Sequence, residues 1–229
     1  MPHPAGGSVE QVAATFASLG VAPGSLIIDA GCGSGRYAAS LHERGYRVIG
    51  IDRSVALIDR ARERNRGAAF VSADLLTWTP PEAPGAVLCR GVLNDLLLED
   101  ERRRAFEQFS SWLPPDGILL ADVREWESTA ARYANNSKNC TTVRNDRCEL
   151  RFETETALNP DDRLMLVRER YVGVVDGVEV EETYDFAMRC WTKAEIRDYA
   201  ATAGFADVQL RAGRQVGIAP DRIQVVALR

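Results

Sequence analysis

Two aspartates and a glycine-rich turn in the first quarter of the chain have the types and spacing of a nucleotide-binding site. Asp29 ends the apolar run Ser-Leu-Ile-Ile-Asp and is followed by Ala-Gly-Cys-Gly-Ser-Gly at residues 30–35. Asp52 ends the next apolar run, roughly the 20 residues downstream that a ribose-binding acid requires. Glycines let the backbone approach a ligand closely, and a helix after the turn presents free N–H groups. The pattern predicts a site for a nucleoside-containing cofactor.

The glycine spacing separates two kinds of cofactor. A dinucleotide loop follows GxGxxG, but Arg36 occupies the position where its third glycine would fall. The run "LIIDAGCGSG" resembles motif I of the class I S-adenosylmethionine-dependent methyltransferases. A cationic sulfonium ligand without phosphates is compatible with the nearby Asp29 carboxylate. Binding of NAD by a dehydrogenase remains the alternative.

The resemblance extends in order from about Ser25 to Val123 and implies roles for residues along the chain. In this family the acid at the position of Asp29 helps to hold the methionine ammonium, and the acid at Asp52 binds the ribose. The acid of "VSADL", Asp74, corresponds to one that hydrogen-bonds the adenine, and Arg90 corresponds to the residue that closes over the methionine. The implied cofactor-binding residues are Asp29, Gly31, Cys32, Gly33, Asp52, Arg53, Asp74, Leu75 and Arg90. Asp74 has a second interpretation, as the cap of a turn.

The elements that must position these residues follow from hydrophobic periodicity. Apolar runs near residues 25–29, 46–51, 69–71, 86–89 and 118–122 predict strands, and amphipathic or capped segments between them predict helices. Such alternation predicts an α/β fold with parallel strands and right-handed crossovers. We expect a Rossmann-like, seven-stranded, mostly parallel sheet with helices on both faces.

This alternation stops after the fifth strand. Residues 148–190 show a period of two, with turn signals at Asn159-Pro-Asp-Asp162 and Asp176-Gly177, and predict three inserted antiparallel strands that act as a lid. We expect a single domain with a helical cap at 1–22 that folds over the cofactor. The rest of this domain consists of a cofactor-binding core at 23–147, the insertion at 148–190, and a final helix and strands at 191–229.

Candidates for contact with the methyl acceptor are expected near the strand tips and in the insertion. As bases or positioning groups we consider Asn94, Asp95, Arg124, Tyr133 and Arg189. Asp122 and Trp126 are further candidates for the same roles. Each has a structural alternative: Asp95 as a helix cap, Asp122 as a loop anchor, and Trp126 with Tyr133 as packing residues seven positions apart. Arg189 could pair with a carboxylate on the acceptor.

The class of acceptor is narrowed by charge and by missing motifs. The net charge of −5 does not favour nucleic acid. The chain lacks the Asn/Asp-Pro-Pro-Tyr/Phe tetrapeptide that marks methyltransferases acting on amide or base nitrogens, and it lacks a Pro-Cys pair. The insertion resembles the cover of glycine, sarcosine and natural-product tailoring methyltransferases. We therefore expect methylation of an N or O atom of a small molecule, with secondary metabolism as one setting. An RNA or protein methyltransferase and a non-catalytic S-adenosylmethionine-binding protein are the alternatives.

The remaining expectations come from composition. The five cysteines and two histidines have no metal-ligand spacing, so no metal is expected. No apolar run approaches the roughly 20 residues of a membrane span, and residues 1–8 carry no signal-peptide pattern. A cytoplasmic monomer or homodimer, with no membrane partner, is the expectation.

Overall fold

The computed structural model describes residues 9–135, 137–145 and 147–229. Its helices are α1 Val9–Ser18, α2 Arg36–Glu43, α3 Val55–Arg64, α4 Glu99–Trp112, α5 Trp126–Arg132 and α6 Lys193–Thr202, with 3-10 helices at Val92–Asn94 and Gly213–Gln215. Its strands are β1 Leu26–Ala30, β2 Arg47–Asp52, β3 Ala69–Ser72, β4 Ala86–Arg90, β5 Ile118–Arg124, β6 Ser137–Asn145, β7 Cys148–Asn159, β8 Leu164–Val175, β9 Val178–Arg189, β10 Asp207–Ala212 and β11 Arg222–Leu228.

The main sheet has seven strands in the order β10-β11-β5-β4-β1-β2-β3. Strands β1 to β5 pair in parallel, whereas β11 runs antiparallel to both β5 and β10. The carboxyl ends of the parallel strands therefore share one edge, and β11 begins at that edge because Arg222 is paired with Arg124. This confirms the predicted Rossmann-like sheet.

Helices cover both faces of this sheet because its central strands are apolar at successive positions. All five residues of β1 are buried, as expected for a strand covered on both sides. Ile28 packs into a cluster with Phe106 of α4 and Ile196 of α6. Ile27 faces the opposite cluster, with residues of α1, α2 and α3. The alternation of a strand thus divides the core into two layers.

The helix signals read from the sequence correspond to capping contacts. The Ser54 hydroxyl accepts a hydrogen bond from the Leu57 backbone N–H at 3.3 Å. At α6, Thr192 and Glu195 form a reciprocal capping box with bonds of 3.1 Å and 2.8 Å. Such caps fix the start of each helix relative to the strand before it.

The insertion after β5 is a four-stranded antiparallel sheet, β6-β7-β8-β9. The prediction of three strands starting at Cys148 misses β6, which begins at Ser137. β6 is an edge strand of mostly polar residues, so it lacks the apolar alternation that identified its neighbours. The antiparallel sheet packs on α5 through Met165 and Val167 of β8 and through Cys190, the residue after β9. Its role as a lid stays a prediction.

Helix α1 packs onto one face of the main sheet. Val12 and Phe16 are buried in the cluster that contains Ile27 and Leu41, and the Phe16 ring lies 6.5 Å from the ring of Tyr46. Residues 1–8 of the predicted cap lie outside the described residues, and closure of α1 over the cofactor stays a prediction. Within the part of the chain that the structure describes, no helix is long and apolar enough to span a membrane.

Candidate functional site

The glycine-rich loop connects β1 to α2 at the carboxyl edge of the sheet. Gly31, Gly33 and Gly35 all have positive φ angles, of 80°, 54° and 79°. A Cβ atom at Gly31 would overlap the Val92 side chain, and one at Gly35 would lie 2.8 Å from the Phe70 ring. A Cβ at Gly33 would meet nothing within 4 Å. The loop is thus packed at both ends and open in its middle.

Asp29 lies beneath this loop and is 1% exposed. Burial raises the pKa of its carboxyl to about 7, while a hydrogen bond from the Ala38 backbone and the charge of Arg90 act in the opposite direction. Its Oδ2 atom is buried and has no hydrogen-bond partner among the described residues. A buried acceptor without a partner costs about 1–3 kcal/mol. Such an acceptor fits a site that binds a cationic donor such as the methionine ammonium.

Asp52 closes the loop from the neighbouring strand. Its Oδ2 accepts a 2.9 Å bond from the Gly33 backbone N–H, and its Oδ1 accepts one of the same length from Ser54. The backbone N–H groups of Gly31 and Cys32 donate to Ile51, at 2.8 Å and 2.9 Å. A carboxylate has about four acceptor positions, so the held Asp52 retains capacity for ribose hydroxyls.

The remaining predicted cofactor residues lie along the same edge. Asp74 is exposed after β3, and its Oδ1 accepts a 2.9 Å bond from the Leu76 backbone. This carboxylate therefore caps its own turn, as the structural interpretation expects, while keeping further acceptor positions. Leu75 is buried beside it, Arg53 is exposed after β2, and the Cys32 side chain is buried in the loop.

Arg90 ends β4 and its side chain is only 8% exposed. The guanidinium lies over the Tyr37 ring at 5.2 Å and pairs with Asp122 at 3.2 Å. Asp122 also accepts a 2.8 Å bond from the Gly91 backbone. These contacts show that Asp122 anchors the loop after β4, as its structural interpretation expects.

Three of the predicted acceptor-side residues lie together at the tips of β4 and β5. Asn94 is 1% exposed, and its Oδ1 accepts a 2.9 Å bond from the Arg124 backbone. The Arg124 guanidinium pairs with Asp221. Asp95 is exposed and does not cap α4, whose N-cap is Leu98. Partial desolvation raises the pKa of Asp95, and the charges of Arg53 and Arg222 oppose that rise.

The other two acceptor-side predictions lie in structural settings. Tyr133 packs with Trp126 against the antiparallel sheet. Arg189 is 6% exposed and donates to the Glu195 carboxylate at 2.7 Å and to backbone carbonyls, including that of Cys190 at 2.8 Å. These contacts join β9 to the first turn of α6. Contact of Tyr133 or Arg189 with an acceptor stays a prediction.

Sequence reasoning missed two buried charged residues at the start of β11. Arg222 donates from Nε to Asp122 at 2.8 Å, and Asp221 pairs with Arg124 and Arg132. Both residues are buried. The available signal was an Asp-Arg pair directly before the apolar run Ile-Gln-Val-Val-Ala-Leu. A charged pair at the start of a buried strand could have marked the strand end as part of a site.

Comparison with known proteins now identifies the class. Residues 27–117 match the family model described as a methyltransferase domain. The match spans β1 to the turn before β5 and so contains the glycine-rich loop, Asp52 and Asp74. This chain therefore carries a class I S-adenosylmethionine-dependent methyltransferase domain, and both the predicted class and its cofactor are confirmed.

Curated relatives support the same class over part of the chain. A trans-aconitate 2-methyltransferase of Escherichia coli O139:H28 is 32% identical over 115 residues, which cover 44% of this chain and 45% of the relative. A protein of that description from Shigella flexneri gives the same values. The alignment thus spans less than half the length of these relatives.

Solved structures share the fold over nearly the whole chain. An amino pentose methyltransferase from Micromonospora echinaspora, solved with bound S-adenosylmethionine and involved in calicheamicin biosynthesis, has a TM-score of 0.81 at 22% identity and covers 96% of this chain and 89% of its own. A sugar N-methyltransferase from Streptoalloteichus has a TM-score of 0.81 at 17% identity, with 96% and 86% covered. The CcbJ methyltransferase from Streptomyces caelestis has a TM-score of 0.81 at 19% identity, with 99% and 98% covered.

Proposed function

We propose that this chain transfers the methyl group of S-adenosylmethionine to a nitrogen or oxygen atom of a small-molecule acceptor. The observation that carries the proposal is the buried Asp29 carboxylate with an unpartnered oxygen beneath a glycine-rich loop that is open at Gly33. Asp29 would hold the methionine ammonium, Asp52 the ribose hydroxyls and Asp74 the adenine amino group. When bound, the cofactor supplies an activated methyl group on a sulfonium.

The residues at the tips of β4 and β5 would bind and orient the acceptor. Holding two reactants in a productive geometry contributes several kcal/mol to catalysis, so positioning alone is a substantial part of the reaction. Asn94 and Arg124 are held by a 2.9 Å hydrogen bond between the Asn94 amide oxygen and the Arg124 backbone. A fixed amide of this kind suits an orienting role.

Asp95 is the group best placed to accept a proton from the acceptor. Its carboxyl lies on the exposed side of the loop after β4, and partial desolvation raises its pKa. A raised pKa brings a general base closer to the operating pH. A protonated amine must give up one proton before its nitrogen can attack, and a hydroxyl acceptor loses its proton as it attacks; the Asp95 carboxylate would receive that proton.

The names of the structural neighbours support a small acceptor. Two of the proteins with a TM-score of 0.81 are described as an amino pentose methyltransferase and a sugar N-methyltransferase. The net charge of −5 gives no support to a nucleic-acid acceptor. N-methylation of an amine is therefore the first reaction to test, with phenol and hydroxyl acceptors next.

Calorimetric titration with S-adenosylmethionine, S-adenosylhomocysteine and NAD tests the cofactor part of the proposal. We expect micromolar binding of both adenosyl ligands, loss of at least tenfold in affinity in Asp52→Ala, and no binding of NAD. Asp59→Ala is the matched control, because Asp59 is an exposed acid on α3 that forms a 3.2 Å ion pair with its neighbour Arg62. Binding of NAD without the adenosyl ligands would contradict the proposal.

Turnover separates an enzyme from a protein that only binds the cofactor. Release of S-adenosylhomocysteine is measured with panels of amino sugars, other amines and phenols as acceptors. Acceptor-dependent release that falls in Asp95→Asn, with unchanged affinity for S-adenosylhomocysteine, is the expected result. Tight cofactor binding with no release above the acceptor-free rate for any panel would favour the non-catalytic alternative.

A further inference from the structure

A buried network of arginines and aspartates lies at the acceptor end of the main sheet. It joins the ends of β4 and β5 to the start of β11, and its members are Arg90, Arg124, Arg222, Asp122 and Asp221. The side chains of all five are at most 13% exposed. Arg132 also pairs with Asp221. The charges of Asp29 and Asp95 interact with Arg90 and Arg222, respectively.

Four buried hydrogen-bond donors in this region have no hydrogen-bond partner among the described residues: Arg90 Nε, Arg124 Nε, Arg222 Nη2 and Asn94 Nδ2. Arg90 Nε lies 3.2 Å from the Asp122 carboxylate, and the donors of Arg222 and Asn94 are the two that lie beside or within the loop after β4. Arg222 is 7% exposed and Asn94 is 1% exposed. An unpaired buried donor destabilises the folded protein, and most buried polar groups in proteins are paired. Two such donors on neighbouring elements are therefore expected to serve a ligand.

The contacts around each donor fix its direction. Arg222 Nε donates to Asp122 at 2.8 Å, which leaves Nη2 on the side of Gly91, where an added Cβ would lie 3.9 Å away. The Asn94 amide oxygen faces the Arg124 backbone N–H at 2.9 Å, so its nitrogen points away from β5. Arg222 Nη2 thus lies beside the loop after β4, and Asn94 belongs to that loop.

The chemistry of the two donors decides what they bind. Asp95 is near enough to Arg222 for the two charges to interact, but it lies on the exposed side of the loop. A guanidinium nitrogen and an amide nitrogen both donate to oxyanions, and guanidinium groups bind carboxylate and phosphate especially well.

We propose that Arg222 Nη2 and Asn94 Nδ2 form a subsite for an anionic group, a carboxylate or a phosphate, on the methyl acceptor. This inference rests on the proposed function, because it assigns the subsite to the acceptor rather than to the cofactor. It narrows the acceptor to an anionic small molecule whose methylated atom lies beside the loop after β4. Arg222 and Asn94 then determine specificity.

The test uses the protein saturated with S-adenosylhomocysteine. Its thermal midpoint is followed while inorganic phosphate or malonate is added, with sodium chloride at equal ionic strength and neutral malonamide as reference titrations. We expect saturable stabilisation by at least one of the two anions and none by malonamide. The stronger of the two anions identifies the group that the acceptor carries.

Three variants locate the effect. Asn94→Asp keeps an oxygen for the Arg124 backbone N–H but replaces the free donor by a repelling carboxylate, and Arg222→Gln removes the guanidinium. Both should weaken anion binding at least tenfold while the affinity for S-adenosylhomocysteine stays within twofold of wild type. Arg104→Gln removes an exposed positive charge from α4 and should bind the anions as wild type does.

Several results would overturn the inference. Absence of saturable anion binding to the loaded wild-type protein would do so, as would wild-type anion affinity in Asn94→Asp. A parallel loss of S-adenosylhomocysteine affinity in both variants would assign these donors to the cofactor instead. In each of these cases the wild-type protein still binds S-adenosylhomocysteine, whereas failure of that binding would contradict the proposed function itself.

Discussion

The two halves of the carboxyl edge of the sheet are built in different ways. In the cofactor half, the tips of β1, β2 and β3 are held by hydrogen bonds from backbone N–H groups, such as the 2.9 Å bond that Gly33 N–H donates to the Asp52 carboxylate, 19 positions away. In the acceptor half, the tips of β4, β5 and β11 are held by side-chain ion pairs, and Asp122 and Arg222 are 100 positions apart.

This difference indicates which part of the site can change its specificity for the acceptor. A site formed by backbone geometry needs particular glycines, and few sequences satisfy it. A site formed by paired side chains can be altered by single substitutions at distant points of the chain. The acceptor half can therefore diverge while the cofactor half is kept, and the following experiments perturb each half in turn.

The largest loss of stability is expected when the ion pairs of Asp221, in the acceptor half, are removed. Its side chain is fully buried between Arg124 and Arg132, so Asp221→Ala leaves the largely buried Arg124 guanidinium without its partner. Removing one member of a buried ion pair costs about 3–5 kcal/mol, and denaturant unfolding should show a loss of that size. Asp198→Ala, which removes an exposed acid from α6, serves as control. Equal stability of the two variants would show that the network does not support this edge.

A steric contact links the two halves, and Gly31→Ala tests it. The new methyl group would overlap Val92, which lies in the loop after β4, and the backbone at Gly31 has a φ of 80°. Together these two penalties should destabilise the protein by about 2–4 kcal/mol. In Gly31→Ala combined with Val92→Ala, about 1 kcal/mol or more should be recovered. Purely additive losses in unfolding experiments would mean that the two loops are not coupled here.

Cofactor binding is coupled to proton release in the cofactor half, because burial raises the pKa of Asp29 to about 7. The ammonium of S-adenosylhomocysteine favours the ionised carboxylate, so its affinity should fall about tenfold for each pH unit well below 7. Binding near pH 6 should release a proton, which titrations in buffers of different ionisation enthalpy detect. Asp29→Asn should bind weakly at every pH; a pH-dependent affinity in this variant would exclude Asp29 as the cause.

The same group has a consequence for the ligand-free protein. The folded state keeps a proton on Asp29 that the unfolded chain releases near its ordinary pKa, so the folded state binds more protons between about pH 4 and 7. The contribution of Asp29 to the free energy of unfolding therefore falls as the pH rises through this window and is constant above it. Asp29→Asn should remove that slope.

The smallest effect is expected from an exposed pair on the antiparallel sheet, outside both halves. Arg168 and Asp185 form a 2.7 Å ion pair whose side chains are 59% and 60% exposed. Exposed pairs contribute little because solvent screens them. Arg168→Ala should leave the unfolding midpoint, cofactor affinity and turnover within error of wild type. A clear loss of turnover would instead connect this sheet to the acceptor.

Prediction from sequence succeeded where local chemistry fixes structure. The apolar runs of β1 and β2, the glycines of the loop and the caps Ser54 and Thr192 each depend on neighbours within a few residues. Such signals can be read directly from the chain. β6 was missed because a polar edge strand is stabilised by its pairing partner and carries no apolar period of its own.

We could predict the α/β class, the cofactor loop and the acids Asp29 and Asp52 from the amino-acid sequence alone, because they depend on turns and strand ends that are close in the chain. Three other features are visible only in the folded protein: Arg222 lies against Asp122, Asn94 keeps a free amide donor, and Arg189 is bound to Glu195. Long-range side-chain pairing depends on which strands become neighbours. β5 and β11 are neighbours in the main sheet, but the antiparallel sheet and α6 separate them in the sequence. The spacing of residues along the chain therefore does not predict the contact between Arg222 and Asp122.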